Sequence, residues 1–492
     1  MAGVVDRARL RPWIAPVALY AAAFLARAFF LGSAPYGDEA HHYFIARGFG
    51  TPPPNLLEGQ DTHWLFWWRP LFSLLLAAGA HISFTAFRLD YILLSSLLAP
   101  GLYLWVRARG GGRWAGGAAG LVAALHPFFV IWGVRAFPDE LMAALFVLGL
   151  VAWEHRRVWL GAGLLLAATW VKEVALVGIA ALLAAELVER FGRDGAAWAL
   201  RLQPRARHLL LVGALAFAWA PHWVANSMGG RAPGWSRGGT LVSTLDGTFT
   251  TMWFVPFVLV GLFVPRARRP ALLALAFAGF YLAYNAALGG ATELWYNILP
   301  AALATAVVAL VCEQMARSAA PALRRMAPTA LAVVLVAAQL LLPGTSDLKM
   351  EALHPGTTTR ELSVAEAIDL EQTRDRDLWT LVEAAHGTDW HAVFLVDVPW
   401  FFAYWPFSER ADVVGSYFTK DNPASAAQWA AVIETIANMT VLKRTDGPLN
   451  LALQETYASC VGLATPEYLL IRGMGCKGNA TALDAAWARH KV

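Results

Sequence analysis

The chain has 492 residues, of which 58% are hydrophobic and only 15% are charged. An average soluble chain is about a quarter charged, so this composition excludes a soluble protein of this length and indicates a polytopic membrane protein. It also excludes disordered and collagen-like chains, and three cysteines are too few for a disulfide-dense scaffold.

The formal net charge of +4 is divided unevenly along the chain. Residues 1–343 hold 27 Lys and Arg against 16 Asp and Glu, a net charge of +11. Residues 344–492 hold 12 against 19, a net charge of −7. The division predicts a membrane domain over 1–343 and an extracytoplasmic domain over 344–492.

Apolar runs close to the length that a bilayer-spanning helix needs, about 20 residues, fill the first 343 residues. The opening run lacks a small-residue cleavage site and predicts a retained first helix rather than a cleaved signal peptide. Eleven spans are expected, near 13–31, 88–106, 114–133, 140–153, 159–171, 174–190, 208–226, 252–265, 270–288, 297–315 and 326–343.

Segment 70–86 is also apolar, and its placement follows from the positive-inside rule. If it lies along the interface as a juxtamembrane helix, all the Arg-rich loops fall on one side, with the N-terminus in the cytoplasm. These loops are Arg7–Arg11, Arg107–Arg113, Arg156-Arg157, Arg190–Arg207, Arg266–Arg269 and Arg317–Arg325. Eleven crossings then place residues 344–492 outside the plasma (inner) membrane.

The acidic C-terminal region mixes helical and strand patterns. Residues 363–386 and 424–438 have helical periodicity, while His391–Val398 and Tyr468–Arg472 are typical of buried strands. A small α/β domain of roughly 140 residues is expected. Cys460 and Cys476 lie in it, in a compartment that permits disulfides, so a bridge between them is a hypothesis.

Charged residues close to a membrane core tend to be functional, and the outer loops hold few of them. The first outer loop carries Asp38 and Glu39 together, where carboxylates could act as a general base or bind a metal. Asp38 could equally be the N-cap of the next helix. Glu39 and His42 have the i, i+3 spacing of metal ligands, but no complete ligand set is visible, so an interfacial role for the histidine is favoured.

Further cations and carboxylates lie at the outer ends of other helices. Arg69 follows a run of tryptophans that either anchors a helix at the headgroups or lines a prenyl groove with the arginine facing its phosphate. Arg135 and Asp139 share the second outer loop, Lys172 lies in the third, and Tyr296 in the fourth. Their placement on one membrane face predicts a common site.

This set of motifs resembles the GT-C superfamily of polyprenyl-phosphate-sugar glycosyltransferases, in the branch of protein O-mannosyltransferases and the lipid A aminoarabinose transferase. The resemblance covers roughly residues 13–310. It is carried in chain order by Tyr36-Gly37-Asp38-Glu39 with Tyr43–Arg47, Arg69-Pro70-Leu71, Arg88-Leu89, His126-Pro127, Arg135 with Asp139, Thr169–Lys172, and Tyr296 with Pro300.

The resemblance implies roles for individual residues. It assigns catalysis to Asp38, Glu39 and Asp139, with Asp38 activating the acceptor hydroxyl directly or through a divalent metal. The donor phosphate would be bound by Lys172, Arg69 and Arg135, and the substrate by Tyr36, His42 and Tyr296. Relatives often carry His-Pro-Pro or Glu-Lys-Pro where this chain has Trp68-Arg69-Pro70, so no metal ligand is assigned there and the metal stays unknown.

The expected fold is therefore a GT-C-like bundle of about eleven transmembrane helices with a small C-terminal α/β domain. The expected activity is inverting transfer of a monosaccharide from a polyprenyl- or dolichyl-phosphate donor to a hydroxyl on the outer face. The acceptor is a protein, glycolipid or polysaccharide, the lipid bilayer is a partner, and no nucleic acid is expected. The alternative is a transporter or flippase, but the sequence lacks the repeat symmetry typical of transporters.

Overall fold

The computed structural model describes part of the chain. The described residues are 12–31, 39, 42–43, 46, 69–194, 213, 258–288, 297–316, 327–334, 393–396, 414–417, 426–431, 433–434, 439–444, 447–465, 468–473, 476 and 480–490. The predicted helix 363–386, the predicted span 208–226 apart from residue 213, and the site residues Tyr36, Asp38 and Tyr296 lie outside the described residues.

The N-terminal region is helical wherever the structure describes more than isolated positions. Its helices are α1 (Ile14–Ala28), α2 (Pro70–Ile82), α3 (Phe84–Ser95), α4 (Leu98–Ala108), α5 (Arg113–Leu125), α6 (Pro127–Val134), α7 (Pro138–Glu154), α8 (Val158–Val171), α9 (Ala175–Asp194), α10 (Val258–Gly261), α11 (Arg268–Leu288) and α12 (Ile298–Met315). The sequence therefore locates most of these helices correctly.

Length and composition identify candidate membrane spans among the described helices. In the described part of the chain, two helical segments are long and apolar enough to span a bilayer. One is Phe84–Ala108, which consists of α3 followed by α4, and the other is α12 (Ile298–Met315). A third candidate is the pair formed by α5 and α6, which is bent by 53°. The count of eleven is not confirmed.

The predicted span 114–133 corresponds to two helices, α5 and α6, which meet at this bend. Pro127 lacks the N–H that would continue the hydrogen bonds of α5, so α5 ends at Leu125 and α6 begins at the proline. The side chain of His126 caps the new helix by accepting a hydrogen bond from the Phe128 N–H at 3.3 Å.

Segment 70–86 is also divided. Helix α2 ends at Ile82, and Ser83 is the N-cap of α3, its hydroxyl accepting from the Ala86 N–H at 3.1 Å. Helix α2 packs against α3 and α8. Its predicted position along the membrane interface stays a prediction.

Helix α7 lies at the centre of the bundle. It packs against α4, α8 and α12, and its side chains are buried around nearly the whole circumference. Gly149 on α7 and Gly161 on α8 allow close backbone approach, since a Cβ atom on Gly161 would lie 3.1 Å from the Gly149 carbonyl oxygen. Such small residues are typical of helix contacts in membranes.

The C-terminal region contains a five-stranded sheet with the order β2-β1-β3-β5-β4. Strands β1, β2 and β3 are parallel, whereas β5 runs antiparallel to both β3 and β4. The strands are β1 (Val393–Val396), β2 (Val414–Tyr417), β3 (Met439–Lys443), β4 (Val461–Ala464) and β5 (Tyr468–Arg472), with helices α13 (Ala426–Ala431), α14 (Pro448–Thr456) and α15 (Ala480–His490). Both predicted strands, β1 and β5, are confirmed.

Strand β5 is buried on both faces. Leu469 and Ile471 pack into the hydrophobic cluster formed with α13, α14 and α15. Tyr468 and Leu470, on the opposite face, belong to the same buried cluster as the helices of the N-terminal region. Such burial on two sides explains why the strand sequence is apolar throughout rather than alternating.

Cys460 and Cys476 form a disulfide, with their Cα atoms 5.9 Å apart. The bridge joins the short 3₁₀ turn before β4 to the segment that precedes α15. The hypothesis of a bridge between these cysteines agrees with this geometry.

Candidate active site

A buried ion pair connects the second and third predicted outer loops. Pro138 begins α7, which places Asp139 in its first turn, where the helix dipole favours a carboxylate. Lys172 follows the last residue of α8, and its Nζ lies 2.5 Å from Asp139 Oδ1. Both side chains are almost fully buried. Burial lowers the pKa of Lys172, and the negative charge of Asp139 opposes that shift.

A second buried pair anchors the first outer loop. Arg88 on α3 donates from Nε to Glu39 Oε1 at 2.8 Å and from Nη2 to Oε2 at 2.7 Å. The Ala136 backbone N–H also donates to Glu39 Oε1, at 3.0 Å. Both carboxylate oxygens of Glu39 are thus engaged by protein donors, and the residue ties the first outer loop to the second.

A third buried pair joins α1 to α7. Arg27 pairs with Glu140, and neither side chain is exposed. The Arg27 Nη2 group also donates to the Ala123 carbonyl oxygen at 3.3 Å. Gly133 makes room for this arginine, because a Cβ atom there would lie 2.2 Å from Arg27 Nε.

Arg69 links the first outer loop to the turn between α8 and α9. It precedes α2, whose first residue is Pro70, a favoured residue at that position. Its Nη1 lies 3.3 Å from His42 Nε2, and its Nε lies 3.8 Å from Glu173 Oε2. The His42 ring packs edge-on against Phe72, with ring centroids 5.0 Å apart.

Arg135 is buried between α6 and α7. Its guanidinium carbon lies 5.7 Å from the centroid of the Trp132 ring, a cation–π distance. The Trp132 carbonyl oxygen in turn accepts a hydrogen bond from the Tyr91 hydroxyl at 3.1 Å. Arg135 lies directly before the segment 136–140, which takes part in all three buried ion pairs. Ala136 donates to Glu39, while Asp139 and Glu140 are themselves members of the other two pairs.

The structure brings six of the nine predicted site residues to one end of the bundle. Asp139 and Lys172 form one pair, Arg69 reaches the residue after Lys172, and Glu39 contacts the residue after Arg135. His42 contacts Arg69. These six residues are Glu39, His42, Arg69, Arg135, Asp139 and Lys172. The roles predicted for them stay predictions.

The described carboxylates do not fit a metal site. Cations already engage Asp139 and Glu39. Among the described residues no three His, Cys, Asp or Glu side chains lie together as metal ligands.

The sequence prediction missed Arg27 and the pairing role of Arg88. A charged residue inside the apolar run 13–31 is itself a signal, because a cation at membrane depth needs a partner. Arg88 belongs to the Arg88-Leu89 motif, but its partner Glu39 lies 49 residues away. Sequence spacing does not reveal such a contact.

The comparisons with known proteins bear on the fold. No protein-family model and no curated protein sequence matches the chain. The apo crystal structure of ArnT from Cupriavidus metallidurans is similar, with a TM-score of 0.58 and 17% identity over 94% of this chain and 98% of that chain. The chain has an ArnT-like fold. The structure of the same ArnT bound to undecaprenyl phosphate is also similar, with a TM-score of 0.52 and 15% identity over 95% of this chain and 98% of that chain.

The ArnT-like fold agrees with the fold that the sequence resemblance implies. The similarity extends over 94% of this chain, in which the structure describes the helices and the C-terminal sheet. The predicted class, a mostly helical protein with a small C-terminal sheet, is therefore correct at this level.

Proposed function

We propose that the protein is an inverting glycosyltransferase that moves a monosaccharide from a polyprenyl-phosphate donor to a hydroxyl on the outer face of the membrane. The observation that carries the proposal is the cluster of Asp139, Lys172 and Arg69 at one end of an ArnT-like bundle. The ArnT structure with bound undecaprenyl phosphate supports a lipid phosphate as the donor's leaving group.

The proposed reaction is a single displacement at the anomeric carbon. The acceptor oxygen forms the new bond to that carbon while the bond to the donor phosphate breaks and polyprenyl phosphate leaves. Asp38 takes the proton of the acceptor hydroxyl as general base. One direct displacement inverts the anomeric configuration.

Lys172, Arg69 and Arg135 are proposed to stabilise the negative charge that develops on the leaving phosphate. An arginine can bind phosphate oxygens in a bidentate manner, and Arg69 keeps its partly exposed position at the start of α2. Asp139 holds the Lys172 ammonium in place and lies beside the reacting sugar. Tyr36, His42 and Tyr296 are proposed to contact the substrate.

Glu39 receives a more specific role within this proposal. Its oxygens already accept from Arg88 and Ala136. We therefore place its contribution in holding the first outer loop against the second, which fixes the backbone beside Asp38. The proton transfer is left to Asp38.

We also propose the membrane topology that the sequence predicts. Eleven crossings with a cytoplasmic N-terminus place the membrane domain over 1–343 and the α/β domain over 344–492 outside. The disulfide between Cys460 and Cys476 supports this side, because such bridges persist in oxidising compartments. The acceptor is proposed to be a protein, a glycolipid or a cell-envelope polysaccharide.

The proposal is tested by transfer from a panel of radiolabelled polyprenyl-phosphate sugars into membrane fractions. Purified wild-type protein is expected to transfer at least one sugar, and Asp38→Asn to lose transfer while remaining folded. Asp484→Asn is the matched control, because it makes the same change at an exposed residue of α15. Equal turnover by Asp38→Asn and wild type would refute the role of Asp38, and no transfer from any donor would refute the activity.

A further inference from the structure

The end of the bundle opposite the candidate site carries a group of exposed arginines. Helix α7 runs from Asp139 to Glu154, about 23 Å at 1.5 Å per residue, and so separates the two ends. The exposed arginines, here called the basic rim, are Arg107, Arg113, Arg156, Arg157, Arg266 and Arg268. Arg266 Nη1 donates to the Gly110 carbonyl oxygen at 2.6 Å, which holds the segment before α11 against the turn after α4. Glu154, at the end of α7, contacts Arg109 after α4 and Arg269 on α11.

Three carboxylates at this end, those of Glu154, Glu186 and Glu189, are engaged by arginines that lie beneath the basic rim, and Glu313 accepts from the Gly112 N–H at 2.8 Å. Arg109 and Arg269 both contact Glu154, at 3.2 and 3.5 Å. Arg269 also pairs with Glu186 and lies 3.8 Å from Glu189. In the part of the chain that the structure describes, no rim arginine forms an ion pair, so the surface is positively charged.

Arg156 occupies a backbone conformation that favours glycine. Its φ is +61°, the only positive φ of a non-glycine residue in the described ranges, at the end of α7. The corresponding turn at the end of α4 has a glycine there, Gly110, with φ of +81°. The hydrogen bonds correspond as well, from the Arg157 N–H to the Ala152 carbonyl at 2.9 Å and from the Gly111 N–H to the Val106 carbonyl at 3.0 Å.

In this left-handed conformation the folded state is less stable with an arginine than with a glycine. Strain of this kind persists where the side chain has a use. The pair of equivalent turns therefore points to a function for the Arg156 guanidinium outside the fold itself.

The rim borders an exposed apolar surface. Trp159 and Phe263, close in sequence to the arginines at 156–157 and 266, are 72% and 86% exposed. Leu160 and Trp114 are also exposed. Tryptophans with arginines beside an apolar band are typical of the headgroup level of a bilayer, which favours a lipid over a soluble polyanion as the ligand.

We infer that the basic rim binds the headgroups of anionic phospholipids. The guanidinium groups bind the phosphodiester oxygens, while Trp159 and Phe263 contact the adjoining acyl chains. The site is distinct from the proposed donor site at the other end of α7, and it does not depend on the transferase activity.

The test is a titration of phosphatidylglycerol into the full-length protein in detergent, read by native mass spectrometry. Phosphatidylcholine with the same acyl chains and free glycerophosphate are titrated in parallel. The rim variant is Arg156→Gln/Arg157→Gln. The matched control is Arg444→Gln/Arg472→Gln, which removes two exposed arginines from the C-terminal region.

Wild type and the control are expected to bind phosphatidylglycerol more tightly than phosphatidylcholine. The rim variant should lose about fivefold in affinity for each arginine removed, since each contributes about 1 kcal/mol near an anionic surface. Arg156→Gly separates binding from folding, because it should raise the thermal unfolding midpoint while weakening phosphatidylglycerol binding. Equal affinity of wild type for the two lipids, tight binding of free glycerophosphate alone, or equal loss in rim variant and control would overturn the inference.

Discussion

The two adjacent carboxylates of the first outer loop are proposed to have different roles. Asp38 and Glu39 are equivalent by spacing, and the resemblance assigns catalysis to both. Glu39 is held by Arg88 and by the Ala136 N–H, partners that are 49 and 97 residues away in sequence. The contact depends on how the helices pack, so no local pattern could predict it.

The pair of Asp139 and Lys172 leads to a prediction about stability. Lys172→Met leaves the Asp139 carboxylate buried without its cation and is expected to lower the free energy of unfolding by about 3 to 5 kcal/mol. Lys172→Met/Asp139→Asn should recover most of that loss, because the uncompensated charge is gone. Thermal unfolding in detergent measures both. A double variant as unstable as the sum of the two single variants would contradict a coupled pair.

Gly133 gives a second prediction at this scale. Gly133→Ala would place a Cβ atom 2.2 Å from Arg27 Nε, displacing the buried arginine from Glu140, and should lower the free energy of unfolding by about 2 kcal/mol. Gly117→Ala on α5 is the matched control, since a Cβ atom there meets nothing within 4 Å. The control should be stabilised by roughly 0.5 kcal/mol. Equal unfolding midpoints for the two variants would show that the space at Gly133 is not needed.

Hydropathy predicts the positions of the helices well, but it does not predict where a helix bends or is divided in two. The run 140–153 corresponds to α7 (Pro138–Glu154), and 159–171 to α8 (Val158–Val171). The run 114–133 is one apolar stretch in sequence, yet it bends at Pro127. Hydropathy averages over a window, whereas a bend depends on a single missing N–H group. The strands β1 and β5 were found because both are short, apolar and rich in branched residues.

The disulfide between Cys460 and Cys476 is predicted to stabilise the C-terminal region. It closes a loop with a sequence separation of 16 residues, for which chain entropy gives about 3 kcal/mol. Cys460→Ser/Cys476→Ser should unfold earlier than wild type, and reductant should remove the difference. Cys312→Ser, at the free cysteine, is the control and should respond to reductant as wild type does. A wild-type unfolding midpoint that is insensitive to reductant would contradict the prediction.

The basic region 1–343 and the acidic region 344–492 differ in net charge, yet they pack against each other in the structure. Tyr468 and Leu470 of the acidic C-terminal region are buried in the same cluster as the membrane helices. Net charge indicates the environment of each region but not the face on which the regions meet. That face depends on the alternation of side chains along β5, with Leu469 and Ile471 directed to the other cluster.

The proposed function requires that the cations at one end of the ArnT-like bundle bind a polyprenyl phosphate. The most direct measurement is the affinity of the purified full-length protein for undecaprenyl phosphate. We expect Arg69→Gln and the more stable Lys172→Met/Asp139→Asn each to weaken binding by roughly tenfold or more, the value of a charged hydrogen bond, while Arg472→Gln, at an exposed residue of β5, leaves it unchanged. Equal affinities of wild type and the three variants for undecaprenyl phosphate would show that these cations do not bind the lipid phosphate.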